Sequence, residues 1–291
     1  MMVGAESASS MQSEQRTDLF SEQFDLALAF YALDDGTQSR ERHRAIVQEM
    51  ADRAVELALP HLAHVVEEQH VSRAVLVAPL RGGLGLVTPR TLGRLRGALS
   101  GFGPSDVLVE PWAVGVKRHP AQDRAEVYFS CGLQRADNHD AAAIILDFGT
   151  ATGLTTVAVA RELKQAGIDY RRMTSISMTL AEKGRKRILE SCIDSDGRRI
   201  QIEAATRANL NDKDYVYQIA PTFSAAFCDV NPKDWGERMW GMENTHGSPD
   251  VLHHEVNEFM YHFFQTFEGV TDYSQRVALK DYYLRQYAPL G

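Results

Sequence analysis

The chain is 291 residues long, with 44% hydrophobic and 24% charged residues, which suits one large globular domain with appended pieces. Its 39 acidic against 31 basic residues give a net charge of −8, which argues against nonspecific nucleic-acid binding and requires any polyphosphate ligand to be held by specific local cations. The three cysteines, Cys131, Cys192 and Cys228, show neither a disulfide framework nor zinc spacing, and no apolar run reaches the length of a membrane span, so the expectation is a cytoplasmic protein with no membrane partner.

In chain order, residues 1–18 are polar and Ser-rich, lack the apolar core of a signal peptide, and read as a disordered tail. Leu19 to Leu33 has helical spacing of Phe24, Leu28 and Tyr31. From Thr37 to about Glu67 a longer helical region carries an apolar stripe of Ile46, Met50, Ala54, Leu57 and Leu59, with Pro60 marking a break or a new start. A buried strand at Ala74–Ala78 leads into a loop with Pro79, Arg81, Gly82, Gly83 and Gly85, then a helix from Pro89 to Leu99 whose Arg90, Arg94 and Arg96 read as solvent-facing. Arg81, flanked by glycines at the end of a buried strand, suits a phosphate or carboxylate, although a surface loop arginine fits the same pattern. Further strands are expected at Asp106–Val116, Glu126–Ser130, Arg172–Met178 and Arg199–Ala205, with a helix at Ala181–Leu189. This order of elements predicts an α/β fold with a mostly parallel sheet and helices on both faces. After Pro249, helices are expected at Val251–Phe267, with an aromatic stripe of Phe259, Phe263, Phe264 and Phe267, and at about Tyr273–Tyr287. The adjacent His253 and His254 lack a carboxylate partner at ligand spacing, so no metal site is assigned.

The most informative stretch is Ile144 to Thr156, IILDFGTATGLTT. An apolar strand ends in Asp147; small and hydroxylated residues follow, and a helix from Val157 to Ala166 is closed by Gly167. A helix start offers unpaired amides and the positive end of a dipole, which suits an anion. Gly153 allows close backbone approach, and Asp147 sits where α/β sheets place their ligands. An ordinary strand–turn–helix with a threonine N-cap fits equally well. Neither a Walker loop nor a dinucleotide fingerprint is present.

Several blocks, in order, resemble the uracil phosphoribosyltransferase family of the type I phosphoribosyltransferase fold. Asp147-Phe-Gly-Thr-Ala-Thr-Gly-Leu-Thr155 aligns without gaps with that family's D-P-M-L-A-T-G-G-S. Pro79-Leu-Arg-Gly-Gly-Leu-Gly85 looks like its I-L-R-A-G-L-G, and Gly115-Val-Lys-Arg118 like its G-x-Y-R, which opens a flexible β-arm. Ala204 to Asn211 with Tyr215-Val216, and Asp234 to Gly241, look like its A-x-I-D-x-x-L-N…Y-I and D-A-G-D-R-L-F-G segments. The resemblance spans roughly residues 37–241. It implies a phosphoribosyltransferase-like domain at 19–241, a helical C-terminal extension at 242–291, and phosphoribosyl pyrophosphate (PRPP) with Mg²⁺ as the donor. Asp147, Phe148, Gly149, Thr150, Ala151, Thr152, Gly153, Leu154 and Thr155 would form the PRPP loop. The amides of Ala151–Thr155 would hold the 5′-phosphate and Asp147 the ribose hydroxyls. Arg81 and Arg118 would hold the pyrophosphate, and Asp234 would lie near the metal. A dimer or higher homo-oligomer is implied as well.

The departures bear on the acceptor. Phe148, Gly149 and Thr150 replace Pro, Met and Leu, and Leu154 replaces the second loop glycine. Tyr217 to Lys233 is an extra stretch in the base-recognition segment, and Lys233 and Trp235 flank Asp234 where the family has small residues. With Val216, they predict an acceptor pocket rebuilt for a small molecule other than uracil; plain uracil transfer and a PRPP-sensing regulator are the alternatives. The C-terminal aromatics are expected to pack on the core or across a dimer, or else to form a lid over an enlarged pocket.

Overall fold

The structure, a computed structural model, describes residues 40–69, 71–100, 107–119, 122–132, 138–210, 217–218 and 249–287. In chain order these form α1 (Arg40–Gln69), β1 (Arg73–Leu80), the single turn α2 (Gly83–Leu86), α3 (Pro89–Leu99), β2 (Leu108–His119), β3 (Arg124–Cys131) and β4 (Ala141–Thr150). There follow α4 (Leu154–Gln165), β5 (Met173–Ala181), α5 (Glu182–Ser191), β6 (Gln201–Leu210), β7 (Tyr217–Gln218), α6 (Pro249–Phe267) and α7 (Tyr273–Tyr287). The expected tail at 1–18 and the helix at 19–33 lie outside the described residues, as do Cys228, Val216, Lys233, Asp234 and Trp235.

The seven strands form one sheet in the order β3-β2-β1-β4-β5-β6-β7. The central strands β2, β1, β4, β5 and β6 are parallel, and the edge pairs β2–β3 and β6–β7 are antiparallel. The α/β architecture expected from the sequence is therefore the one formed: a mostly parallel sheet flanked by helices, a two-stranded arm and a helical C-terminal extension. Alternation along the strands sorts the core into two layers. Ala74, Leu76 and Ala78 of β1 and Ala142, Ile144 and Leu146 of β4 join one layer with α1, α3 and α6. Val75 and Val77 with Ala141, Ala143 and Ile145 join the other, beneath Val157, Val159, Ala160 and Leu163 of α4 and Ile188 of α5. A sheet covered on both faces needs apolar residues at successive positions, which is why β1 and the first half of β4 read as continuous hydrophobic runs.

Local chemistry explains the helix ends. The Thr88 side chain accepts from the Thr91 amide and Pro89 occupies the first turn, so α3 begins where a proline is best tolerated. Gly167, at φ 100°, ends α4, with the Ile168 amide donating to Leu163 O at 3.0 Å in a Schellman-type closure. Two expectations need correction. Pro60 neither breaks nor starts a helix; α1 runs through it as one element. The buried stripe of α1 is Val47, Met50, Ala51, Ala54, Ala58, Leu62 and Val65, whereas Leu57 and Leu59 are only partly covered. The arginines of α3 face solvent as expected and also make contacts: Arg90 and Arg94 pair with Asp52 at 2.6 and 3.1 Å, Arg94 also pairs with Glu56, and Arg96 donates to Val109 O, fastening α3 to α1 and β2.

At the amino ends of the central strands, the buried Arg73 guanidinium donates to Asp140 at 2.9 Å, Asn138 at 2.7 Å and Glu110 at 3.3 Å. This network ties β1, β2 and the entry to β4 together on the edge opposite the candidate site. The Arg73 guanidinium pulls the Asp140 carboxyl down to about 2.

Candidate active site at the carboxyl edge of the sheet

Strand β1 has β2 on one side and β4 on the other. The chain order reverses there, and parallel sheets open a crevice beyond the strand ends at such a point. Arg81 follows β1, and Asp147 lies near the end of β4. The last paired residues are Val77 and Ile145, so two residues further along each strand Pro79 comes level with Asp147. Arg81 and Asp147 thus lie at the same edge of the sheet, on or just beyond adjacent strands.

The turn after β1 is tight. Leu84 N donates to Arg81 O at 3.1 Å and Gly85 N to Gly82 O at 3.0 Å. A β-carbon on Gly83 would stand 2.7 Å from the Pro79 ring and 3.0 Å from the Ala78 backbone, so only glycine lets this turn lie flat on the strand end. The peptide between Leu80 and Arg81 is cis.

On the other side of the crevice the expected loop is shorter than the sequence suggests. Gly149 and Thr150 pair with Thr179 and Leu180, so β4 continues to Thr150 and the turn is Ala151, Thr152 and Gly153 alone. The threonine N-cap is not formed. Gly153 caps α4 in the left-handed region, φ 75°, with no side-chain cap bond, and the helix starts at Leu154, earlier than expected. Gly153 can do this because it lacks a β-carbon; one there would lie 2.7 Å from Gly184 O. Gly184, in the first turn of α5, is equally constrained, for its β-carbon would meet Ala151 O at 2.7 Å and Thr150 O at 3.0 Å. Two glycines therefore let the turn seat directly on α5, and the Thr150 and Ser177 hydroxyls, 2.7 Å apart, fix the strand end. Phe148 points into the core beside Leu146 and is 4% exposed, so its side chain does not line the crevice. Asp147, half-buried, continues the Ala143–Ile145 row on the face that α4 covers, the same side as the amides at the start of that helix.

Arg118 is not brought into the crevice. It is exposed on the arm, paired in register with Ala125, beyond the Gly115 that lies level with Leu80. Near the arm, His119 and Glu126 pair at 3.0 Å, and hydrogen bonding to His119 lowers the Glu126 carboxyl below its usual range. The hairpin tip reaches α5, where Arg187 donates to Asp123 at 2.7 Å.

Arg81 itself is 2% exposed. Its guanidinium lies 4.5 Å from the Tyr287 ring centre and 5.2 Å from that of Tyr283, and it donates to the Tyr287 hydroxyl. Burial holds the Tyr283 phenol well above its ordinary value, and its hydroxyl is 3.0 Å from that of Tyr128. Tyr128 lies across Gly115, where any β-carbon would strike its ring, and stacks on Tyr282 with centroids 4.0 Å apart. Tyr283 and Tyr287 are spaced to share a helix face, but nothing in the spacing links that face to Arg81. Gly184, Arg187 and Asp123 carried no recognisable signal either.

Among the described residues no group of three or more His, Cys, Asp or Glu side chains could hold a metal ion, and no helix is long and apolar enough to cross a membrane. Burial raises the Cys131 and Cys192 thiols to about 12 and about 11, as fits cysteines packed in the core.

No family model and no curated protein matches this chain. Among solved structures it is similar to the AQ2163 protein from Aquifex aeolicus, at 20% identity and a TM-score of 0.46, over 74% of this chain and 96% of that one. It is also similar to APRTase from Giardia lamblia complexed with 9-deazaadenine (14% identity, 55% and 80% of the two chains, TM-score 0.34). A third is hypoxanthine phosphoribosyltransferase from Trypanosoma cruzi in complex with the product IMP (12%, 56% and 77%, TM-score 0.36). Nothing about substrate passes from these proteins to this chain.

Proposed function

We propose that the protein is a phosphoribosyltransferase that moves the 5-phosphoribosyl group of PRPP to a heterocyclic acceptor other than uracil and releases pyrophosphate. The observation that carries this reading is the turn from β4 to α4, capped by a left-handed Gly153, at the carboxyl edge of the sheet where the strand order reverses. The amides from Ala151 to Thr155 receive the 5′-phosphate, where the helix dipole favours an anion. Asp147 accepts from the ribose hydroxyls. Arg81, and Arg118 once the arm folds inward, stabilise the pyrophosphate as its bond to C1 breaks and positive charge spreads over the sugar ring. Catalysis is then chiefly positioning and leaving-group stabilisation. Mg²⁺ would be carried on substrate oxygens rather than caged by protein, with Asp147 and Asp234 as the carboxylates beside it. When bound, Mg²⁺ neutralises charge on the departing pyrophosphate.

The same proposal places the acceptor against Val216, Lys233 and Trp235, and assigns 19–241 to the transferase domain, with 242–291 as its extension and a homodimer as the working assembly. The burial of Arg81 favours a second reading, a regulator that binds PRPP without turning it over. Incubation with PRPP, Mg²⁺ and a panel of bases, followed by pyrophosphate release, separates these readings. Release with bases other than uracil supports the proposal, and release with uracil alone makes this a plain uracil enzyme. PRPP binding without release supports the regulator. Asp147→Asn is expected to weaken PRPP binding at least tenfold; unchanged affinity removes its role at the sugar.

A further inference from the structure

In the arrangement seen here, the arginine best placed for pyrophosphate is already occupied. Arg81 is 2% exposed, with Tyr283 and Tyr287 against its guanidinium and the Tyr287 hydroxyl accepting from it. While the tyrosines stay in place, almost none of the Arg81 surface is open to a polyanion. We infer that α7 is a built-in competitor of the donor: its Tyr283–Tyr287 face and pyrophosphate exclude one another at Arg81, so productive PRPP binding requires the last turns of α7 to leave. The inference rests on the reading of Arg81 as a pyrophosphate ligand.

Three observations make the contact releasable. First, the tyrosines are neutral. Contacts of a guanidinium with ring faces and a phenol are weaker than the charge-assisted bond a pyrophosphate oxygen forms with it. Second, α7 sinks fewer side chains into the core than α6 does. Its buried residues are Leu279 and Tyr283, while α6 sinks Leu252, Val256, Phe259, Met260, Phe263 and Phe267 into the core. The two helices are joined by a short turn containing Gly269, and α7 carries its own cap, with the Gln275 amide donating to Asp272 at 2.8 Å and the Asp272 amide to the Gln275 side chain at 3.2 Å. It can therefore remain helical when it lifts. Third, the same helix holds the arm, through the Tyr128–Tyr282 stack and the Tyr128–Tyr283 hydroxyl contact. Departure of α7 would release Arg81 and the strand pair that bears Arg118 together.

The test uses the full chain. PRPP affinity with Mg²⁺ is measured for wild type, Tyr287→Ala, Tyr287→Phe and Arg81→Ala, and amide exchange in α7 is followed with and without PRPP. Tyr287→Ala removes both the stack and the acceptor and is expected to tighten PRPP binding about tenfold. Tyr287→Phe keeps the ring and its packing and should tighten binding by a smaller factor. In wild type, PRPP should speed exchange over 280–287. Weaker binding by Tyr287→Ala, or exchange in α7 that PRPP leaves unchanged or slows, overturns the competition. If Arg81→Ala weakens PRPP binding while both Tyr287 variants match wild type, the competition alone fails. If Arg81→Ala has no effect, the pyrophosphate role of Arg81 fails and the competition falls with it.

Discussion

Gly184→Ala sets two known effects against each other, and the sign of the outcome tests the site geometry. Gly184 is in the first turn of α5, and alanine there should favour the helix by about 1 kcal/mol on propensity alone. Its β-carbon would, however, stand 2.7 Å from Ala151 O, 3.0 Å from Thr150 O and 3.1 Å from Thr150 Cγ2. Two of these atoms are backbone, so the β4–α4 turn itself must move. Overpacking of this kind costs about 2 kcal/mol. The net expectation is a loss of about 1 kcal/mol, or a Tm lower by about 2–4 °C. The displaced atoms belong to the turn whose amides receive the phosphate, so PRPP affinity should fall about tenfold with it. Thermal unfolding and PRPP titration of one preparation read both effects. A Tm raised by about 2–4 °C with unchanged affinity would show that the turn does not rest on α5, and the geometry argued for the phosphate site would be wrong.

Two further outcomes concern other parts of the fold. Asp140 is held at about 2 in the folded protein, below the ordinary value of about 4, so its pairing with Arg73 contributes in full above pH about 4 and is lost as pH falls towards 2. Because the carboxylate is 47% exposed, screening keeps this contribution below about 1 kcal/mol; Asp140→Asn should flatten that limb of the urea-midpoint profile, and an unchanged profile would refute the assignment. Asp123→Ala removes the Arg187 contact at the hairpin tip, an exposed pair, and should leave Tm within about 1 °C of wild type while tryptic cleavage after Lys117, Arg118 or Arg124 becomes faster; equal cleavage rates would mean the pair does not hold the arm.

What was legible in the sequence is what local chemistry controls. Thr88-Pro89 announces α3 and Gly167 closes α4, because caps and left-handed closures are decided within a few residues. The parallel sheet follows from apolar runs separated by helical patterns. Strand ends were less legible: Gly149 and Thr150 have the composition of a loop, yet the ladder to Thr179 and Leu180 carries them as strand. Pro60 illustrates the same override, since packing of Ala58 and Leu62 on the sheet keeps α1 continuous across it. At the site, Arg81, Asp147 and Gly153 carry local signals of glycine context and strand ending. The contacts of Arg81 with α7 come from chain far away in sequence, and no local pattern encodes such a meeting.

The crevice also has a history during folding. β1 acquires its second neighbour only when β4 arrives, after α3 and the whole of the β2–β3 hairpin have been laid down. Until then Arg81 has no counterpart opposite it, so a nascent chain ending before residue 150 holds an incomplete half of the cleft. A ligand that bridges both halves would draw the late strand into place and raise resistance to unfolding in proportion to the logarithm of its concentration.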